Sequence, residues 1–253
     1  MNDKKIFELI KKEEVRQKKV INLIASENYC SREVLSALGS VFDNKYAEGY
    51  PGARYYKGNV FVDELETLCQ KRALKVFGVK EKDWAVNVQP LSGANANLAV
   101  YLGLVPKGEK IMGMTLSSGG HLSHGQKVSI TGKFWESIPF EVDSKTEVLD
   151  YEALKKKALK EKPTLIVCGF TAYPRLVDWK KFREIADATG AILMADMSHL
   201  AGLVAGKAYP SPFPFVDVVT TTTHKTLRGP RGAMIFSRRD DRELNKKIDK
   251  AVF

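Results

Sequence analysis

The sequence predicts an α/β fold in which helices flank a mostly parallel, mixed sheet. Short apolar segments such as Leu165–Cys168 and 191–195 have the length and composition of buried strands. An amphipathic helix pattern over 179–188 separates these two segments, and strands that alternate with helices form parallel sheets covered on both faces. The 253 residues contain no internal repeat and no polar linker, so we expect one main domain.

The other predicted elements follow from the same patterns. The first twenty residues place apolar side chains at helical spacing among charges, which predicts an amphipathic helix that packs against the rest of the fold. The Gly-, Tyr- and Pro-rich run 45–58 has neither helical nor strand periodicity, so we expect an ordered loop. Further along the chain we predict a helix over 60–77, a strand over 84–88, a helix after Gly93, and strands over 111–114, 216–223 and 233–236.

Composition limits the class of protein. Hydrophobic residues make up 44% of the chain and charged residues 28%, which is ordinary for a globular protein and excludes a collagen, a coiled coil or a wholly disordered chain. No stretch approaches the roughly 20 apolar residues of a membrane span, and residues 1–5 are polar with no apolar signal core behind them. Three cysteines without a CxxC pair indicate no disulfide framework. We therefore expect a cytoplasmic protein that does not bind membranes.

The basic charge leaves two interpretations open. Lys and Arg total 40 against 30 Asp and Glu, a net charge of +10 that is common in nucleic-acid-binding proteins. The lysine pairs, however, lie on helix-like segments and alternate with acidic rather than aromatic side chains, which favours solvated helix faces. A basic RNA-binding protein remains the non-enzymatic alternative, and the same charge would also suit a polyanionic small molecule.

Two predicted strands end in residues that can do chemistry. In parallel sheets the ligand binds at the carboxyl ends of the strands. The predicted strand 191–195 is followed by Asp196, and the predicted strand 216–223 is followed by His224 and Lys225. A lysine can form a Schiff base with a carbonyl cofactor, and a carboxylate can hold the pyridine nitrogen of that cofactor protonated. For this pair alone, a buried salt bridge is the simpler explanation.

Other segments supply groups that such a cofactor would need. The turn 92–95 joins a strand to a helix, where backbone N–H groups can bind a phosphate; an ordinary serine-capped turn is the alternative. His121 could stack on a planar ring, and His199 could reach the phenolic oxygen of the ring. A metal site built on His121 and His124 would need a third ligand, and we expect none.

Six motifs together resemble serine hydroxymethyltransferases. They are LIASENY (23–29), NKYAEGYPGARYYKG (44–58), VQPLSGANAN (88–97), GGHLSHG (119–125), ADMSHLAGLVA (195–205) and VTTTTHKTLRGPRGAMIF (219–236). They occur in the family's order. The motif GGHLSHG departs from the family only in having Ser123 in place of threonine. The resemblance implies a three-layer αβα, fold-type-I enzyme with pyridoxal 5'-phosphate as cofactor, which interconverts serine and glycine and exchanges the one-carbon unit with tetrahydrofolate.

The resemblance also implies a role for individual residues. Lys225 would hold pyridoxal phosphate covalently, Asp196 would pair with the pyridine nitrogen, and Glu48 matches the family's acid–base carboxylate. The other implied cofactor contacts are Ser92, Gly93, Ala94, His121, Thr171 and His199. The implied catalytic neighbours are His224, Thr222 and Tyr55, and the implied substrate contacts are Ser26, Tyr46, Glu48, Tyr55 and Tyr56. In the family part of this substrate wall comes from a second subunit, so we expect a homodimer or a higher oligomer with shared sites.

The resemblance covers an N-terminal helical arm and loop (1–50) and a cofactor-binding large domain (51–253). In the family, a C-terminal small domain follows, with an arginine that binds the substrate carboxylate; without it, serine and glycine should bind weakly. The chain could therefore be a piece of a full enzyme, one half of a split enzyme with a separate C-terminal partner, or a catalytically incomplete chain that holds cofactor. The TTTTHK and KYAEGYPGARYY motifs argue against another pyridoxal-phosphate enzyme such as an aminotransferase.

Overall fold

The computed structural model describes residues 3–253, which form nine α-helices and nine β-strands. The helices are α1 (Lys4–Lys19), α2 (Arg32–Leu38), α3 (Val60–Val76), α4 (Gly93–Leu104), α5 (Ile130–Phe134), α6 (Tyr151–Glu161), α7 (Trp179–Thr189), α8 (Ala201–Ala205) and α9 (Leu244–Val252). The strands are β1 (Gly49–Tyr50), β2 (Ala53–Arg54), β3 (Trp84–Asn87), β4 (Lys110–Met114), β5 (Glu136–Phe140), β6 (Leu165–Cys168), β7 (Ile192–Asp196), β8 (Val218–Thr222) and β9 (Ala233–Arg238).

Seven strands form one large sheet in the order β3-β9-β8-β7-β6-β4-β5. Four of the six strand pairings in this sheet are parallel, and only β9 pairs antiparallel, with β3 on one side and β8 on the other. The predicted mostly parallel, mixed sheet is therefore confirmed. Because β4, β6, β7 and β8 run in the same direction, their carboxyl ends lie along one edge of the sheet. Asp196 at the end of β7 and Lys225 after β8 lie at this edge.

Two apolar cores cover the two faces of the sheet. Side chains of a strand alternate between faces, so in β7 Leu193 and Ala195 belong to one core while Met194 belongs to the other. Helices α6, α7 and α8 contribute buried residues to the first core, and α4 and α9 contribute to the second. The domain consequently has three layers, with helices on both sides of the sheet.

Several elements lie outside the sequence prediction. The run 45–58 contains the hairpin β1–β2 rather than loop alone, because Gly49 and Gly52 adopt positive φ angles of 98° and 76° that allow the tight turn. Strand β5 is an edge strand interrupted by Pro139, which is tolerated at an edge but hides the strand pattern. The short helices α2, α5 and α8 are not predicted either, and α6 and α9 are indicated only as helix-like segments that carry lysine pairs.

The N-terminal segments leave many apolar side chains in solvent. The amphipathic helix predicted for the first twenty residues is present as α1, but none of its described residues is buried. The expectation that α1 packs on the rest of the fold is therefore wrong for the single chain: Ile6, Phe7 and Leu9 stay more than half exposed. Over residues 3–253, none of the helices combines the length and apolarity needed to cross a membrane.

Candidate active site

A pocket of about 250 Å³ opens where the parallel strands end. Its walls come from the start of α4 and from the segments that follow β4, β6, β7 and β8. It is lined by Ser92, Gly93, Ala94, His121, His124, Phe170, Thr171, Asp196, Ser198, His199, Thr222, His224 and Lys225. The structure thus brings together every residue that the sequence predicted as a cofactor contact.

Asp196 lies at the buried end of the pocket and accepts four hydrogen bonds. Its Oδ2 accepts from His124 Nε2 at 3.0 Å and from Asn97 Nδ2 at 2.9 Å. Its Oδ1 accepts from the backbone N–H of Ser198 at 3.1 Å and from the Ser198 hydroxyl at 2.6 Å. Burial by itself would raise the pKa of Asp196, but these hydrogen bonds outweigh it and lower the pKa, so the carboxyl group is ionised at neutral pH.

Lys225 follows β8 and reaches into the same pocket. Its Nζ lies 3.0 Å from Nε2 of His199, and both side chains are half-buried. Burial lowers the pKa of Lys225, and burial together with the nearby Lys225 charge lowers the pKa of His199 to about 4. His199 is therefore neutral at physiological pH, and the lysine more readily gives the free amine that a nucleophile requires.

The start of α4 has the features of an anion site. Ser92 caps the helix by accepting a hydrogen bond from the backbone N–H of Asn95 at 3.3 Å, and the backbone N–H groups of Gly93 and Ala94 have no partner inside the helix. A Cβ on Gly93 would lie 2.7 Å from Cγ2 of Thr222, so the backbone approaches β8 more closely than a larger residue allows. The Thr222 hydroxyl is buried and has no hydrogen-bond partner among residues 3–253. These donors fit a phosphate group.

His121 forms another wall of the pocket, beside His124. The two ring centroids are 5.7 Å apart, and Nδ1 of His121 lies 2.8 Å from the Ser123 hydroxyl. Burial lowers the pKa of His121, and the neighbouring His124 and Lys225 lower it further. The ring is thus neutral and partly fixed before any ligand binds.

A larger space of about 730 Å³ continues outward from Lys225 and His224. It lies between the N-terminal segments and the loop after β8, and Ser26 and Arg231 are among its lining residues. Burial lowers the pKa of His224, and the positive charge of Arg231 lowers it further. Ser26, predicted as a substrate contact, therefore lies beside the space that leads to the lysine.

Four predicted residues do not reach either space within one chain. Tyr46, Glu48, Tyr55 and Tyr56 are exposed on or beside the β1–β2 hairpin and do not line the pocket around Lys225. The Tyr55 ring stacks on Phe253 at a centroid distance of 5.3 Å, and Tyr46 lies 6.2 Å from Tyr56. Within one chain these residues do not build a substrate wall, because Arg54 holds the hairpin against Asp63 and Glu66 of α3.

Sequence reasoning missed the polar residues around Asp196. Asn97 and Ser198 were not singled out, and His124 was weighed only as a metal ligand, although it donates to the Asp196 carboxylate. Ser198 could have been found as the residue two positions after an aspartate, a spacing that favours a local side-chain hydrogen bond. Residues 3–253 hold no group of three or more His, Cys, Asp and Glu side chains arranged to bind a metal ion.

Comparisons with known proteins agree with this geometry. Residues 1–253 match the family model described as serine hydroxymethyltransferase. The chain is 55% identical over 251 residues to the serine hydroxymethyltransferase of Desulfotalea psychrophila, covering 99% of this chain and 57% of that protein. It is 55% identical to that of Prochlorococcus marinus (strain NATL2A), covering 99% and 60%, and 52% identical to that of Caenorhabditis elegans, covering 99% and 53%.

The chain therefore spans between 53% and 60% of the length of these three relatives. Its three layers around a mostly parallel, mixed sheet are the fold-type-I architecture of pyridoxal-phosphate-dependent transferases. The lysine, the buried aspartate and the helix start occupy one pocket of that architecture. Since the family model matches the chain from its first residue to its last, the chain belongs to the serine hydroxymethyltransferase family.

Proposed function

We propose that this chain binds pyridoxal 5'-phosphate covalently at Lys225 and serves the reversible conversion of serine and tetrahydrofolate to glycine and 5,10-methylenetetrahydrofolate. The observation that carries the proposal is one pocket holding a desolvated lysine, an ionised buried aspartate and the start of α4. The family match over the whole chain favours this enzyme over the RNA-binding alternative. Pyridoxal phosphate, when bound, supplies an electron-accepting ring that stabilises negative charge at the substrate α-carbon.

Each side of the pocket has a task in this proposal. Asp196 would hold a proton at the ring nitrogen. The hydroxyl hydrogen of Ser198, which now points at Asp196 Oδ1, can rotate away and leave that oxygen free to accept from the ring nitrogen. The N–H groups at the start of α4, with the hydroxyls of Ser92 and Thr222, would bind the phosphate. Thr171 and His199 would contact polar atoms of the ring, and the flat ring of His121 would cover one face.

The Lys225 amine is the group that must exchange with the substrate amine. Its lowered pKa keeps a larger fraction of the amine neutral at a given pH, which is the form that attacks a carbonyl carbon. Neutral His199, 3.0 Å away, can hold or return a proton at Nζ. His224 lies between the lysine and the outer space, where substrate and folate would enter.

Glu48 would move protons at the substrate hydroxyl or at the departing one-carbon unit, and we propose that it does so in the pocket of a second copy of the chain. Glu48 is exposed immediately before β1, and Tyr46, Tyr55 and Tyr56, on or beside the same hairpin, are exposed as well. Monomeric proteins rarely expose large apolar patches, and an interface between two copies of the chain would account for the exposed tyrosine rings.

The exposed apolar residues support this homodimer. Large side chains from the N-terminal segments stay in solvent in the single chain, among them Ile21 at 89%, Leu23 at 88% and Val41 at 80% exposure. We propose that the N-terminal arm (1–50), of which the structure describes residues 3–50, packs on the second copy, and that residues 51–253 form the cofactor-binding domain. The three cysteines, Cys30, Cys69 and Cys168, are free thiols, which suits the reducing cytoplasm that we propose as its location.

The test is the visible absorption spectrum of the purified chain titrated with pyridoxal phosphate. We expect a saturable band that differs from that of the free cofactor and is lost in Lys225→Ala. Lys156→Ala is the matched control, because Lys156 lies on the exposed face of α6. A band that persists in Lys225→Ala, or no band in the parent chain, would refute covalent binding at Lys225.

A second measurement separates the enzyme from its alternatives. With cofactor bound, we expect glycine to form from serine only when tetrahydrofolate is present. Cofactor binding without turnover would identify a cofactor-holding half that needs a separate C-terminal partner. Binding of RNA that weakens steeply with salt and is the same in Lys225→Ala would instead support the nucleic-acid alternative.

A further inference from the structure

A buried hydrogen-bond network links Asn97 to two walls of the pocket. The Asn97 amide lies on the second turn of α4 and is 1% exposed. Its Oδ1 accepts from the Thr220 hydroxyl at 2.7 Å, and its Nδ2 donates to Asp196 Oδ2 and to Ser123 Oγ, both at 2.9 Å. An ionised carboxylate can only accept, so the NH₂ group must face Asp196, and the orientation of the amide is unambiguous.

That orientation makes the Ser123 hydroxyl oxygen an acceptor towards Asn97. Because Asn97 donates to Ser123 Oγ, the hydroxyl hydrogen of Ser123 is free to point elsewhere, and Nδ1 of His121 lies 2.8 Å away. The backbone N–H of Ser123 also donates to this nitrogen, at 3.2 Å. A proton on Nδ1 would face the backbone N–H, which can only donate, whereas an unprotonated Nδ1 accepts from both the backbone N–H and the hydroxyl.

We propose that Ser123 is a positioning residue that holds the His121 ring in the tautomer with its proton on Nε2, and that Asn97 sets the direction in which the Ser123 hydroxyl donates. The inference deepens the proposed function, on which its consequence for cofactor binding rests. Asn97 thereby joins the ring that would cover the cofactor to the carboxylate that would hold the cofactor's nitrogen.

The network has two consequences for the pocket. With Nδ1 occupied, Nε2–H is the single polar hydrogen that the ring of His121 can offer to a ligand. Two contacts from Ser123 also restrict rotation of the ring, so less conformational freedom is lost when a planar group stacks on it. Neutral His121 adds no positive charge beside Lys225, in agreement with its lowered pKa.

The test reads the position of the proton directly, in the chain without cofactor. Two-bond ¹H–¹⁵N spectra of ¹⁵N-histidine-labelled protein distinguish protonated from unprotonated ring nitrogens, and His121→Asn assigns the signal. We expect a single His121 tautomer with Nε2–H in the parent chain and in Ser123→Thr, which keeps the hydroxyl. In Ser123→Ala only the longer backbone bond remains, so we expect a second population with the proton on Nδ1.

Pyridoxal phosphate titration provides the second readout. Loss of about one net hydrogen bond should raise the dissociation constant roughly five- to tenfold in Ser123→Ala and leave Ser123→Thr within about twofold of the parent. A parent chain with the proton on Nδ1, or spectra and affinities that are the same in the alanine and threonine chains, would overturn the inference. A parent chain that binds no cofactor would refute the proposed function, while its ¹⁵N spectrum would still decide the tautomer.

Discussion

Replacing Arg54 with methionine is expected to release the β1–β2 hairpin, and Glu48 with it, from α3. The guanidinium group donates to Asp63 at 2.8 Å and to Glu66 at 2.6 Å, both on α3. Its Nη1 donates to the carbonyl oxygens of Ala47 and Gly49, each at 2.7 Å, on either side of Glu48. One side chain therefore fixes the backbone that presents Glu48.

The expected loss of stability follows from burial. The Arg54 side chain is 4% exposed and the Glu66 side chain 10%, so methionine would fill the space of the stem while leaving a buried carboxylate unpaired. Breaking a buried ion pair by removing one partner costs about 3–5 kcal/mol. Because the whole domain is stable by only about 5–15 kcal/mol, this is a large fraction of its free energy of unfolding.

Urea unfolding followed by circular dichroism measures this loss. We expect the midpoint to fall by more than about 1 M in Arg54→Met. Arg16→Met is the matched control: Arg16 pairs with Glu13 on α1, but the two side chains are 59% and 48% exposed, and such pairs contribute about 1 kcal/mol or less. If Arg54→Met loses no more stability than this control, the guanidinium group does not hold the hairpin.

Three further outcomes are expected. His199 should show no NMR titration from about pH 8 to 5.5, because its pKa is lowered to about 4. In the unfolded chain the same ring has a pKa of about 6.5, so protonation favours unfolding and the free energy of unfolding falls as the pH drops from about 6.5 towards 4. A His199 titration near pH 6.5 would contradict this. Gly93→Ala should raise the dissociation constant for pyridoxal phosphate roughly tenfold, since the new methyl group meets Thr222 at 2.7 Å, whereas Gly39→Ala, with its nearest atom at 3.8 Å, should not; equal constants would refute the close approach. Glu48→Gln should retain cofactor binding but slow folate-dependent serine cleavage by about 100-fold, and unchanged turnover would remove its assigned role.

The strand-end residues were predictable because their positions depend on local pattern. Apolar runs fixed β7 and β8 to within two residues, and the residues after parallel strands must gather at one edge of the sheet. Asp196 and Lys225 could therefore be placed together before the structure was known. The helix α7 was equally clear, because its apolar face repeats at helical spacing.

The network around Asp196 was not predictable in this way. Asn97 is 99 residues from Asp196 and 123 residues from Thr220 in the chain, so no local spacing indicates that their side chains meet. The placement of Glu48 is a similar case. The motif identified it as an acid–base candidate, but the contacts of Arg54 with α3 decide that it faces solvent rather than its own chain's pocket.

The sequence by itself determined the fold class, the strand ends that carry the lysine and the aspartate, and the family. These follow from periodicity and from residue types at fixed short spacings, which the backbone geometry of strands and helices translates directly into position. Only the tertiary structure decided the protonation and orientation of those residues. Burial, the neighbouring charge on Lys225 and the hydrogen bonds at Asp196 come from segments far apart in the chain, and they act only once the layers have packed.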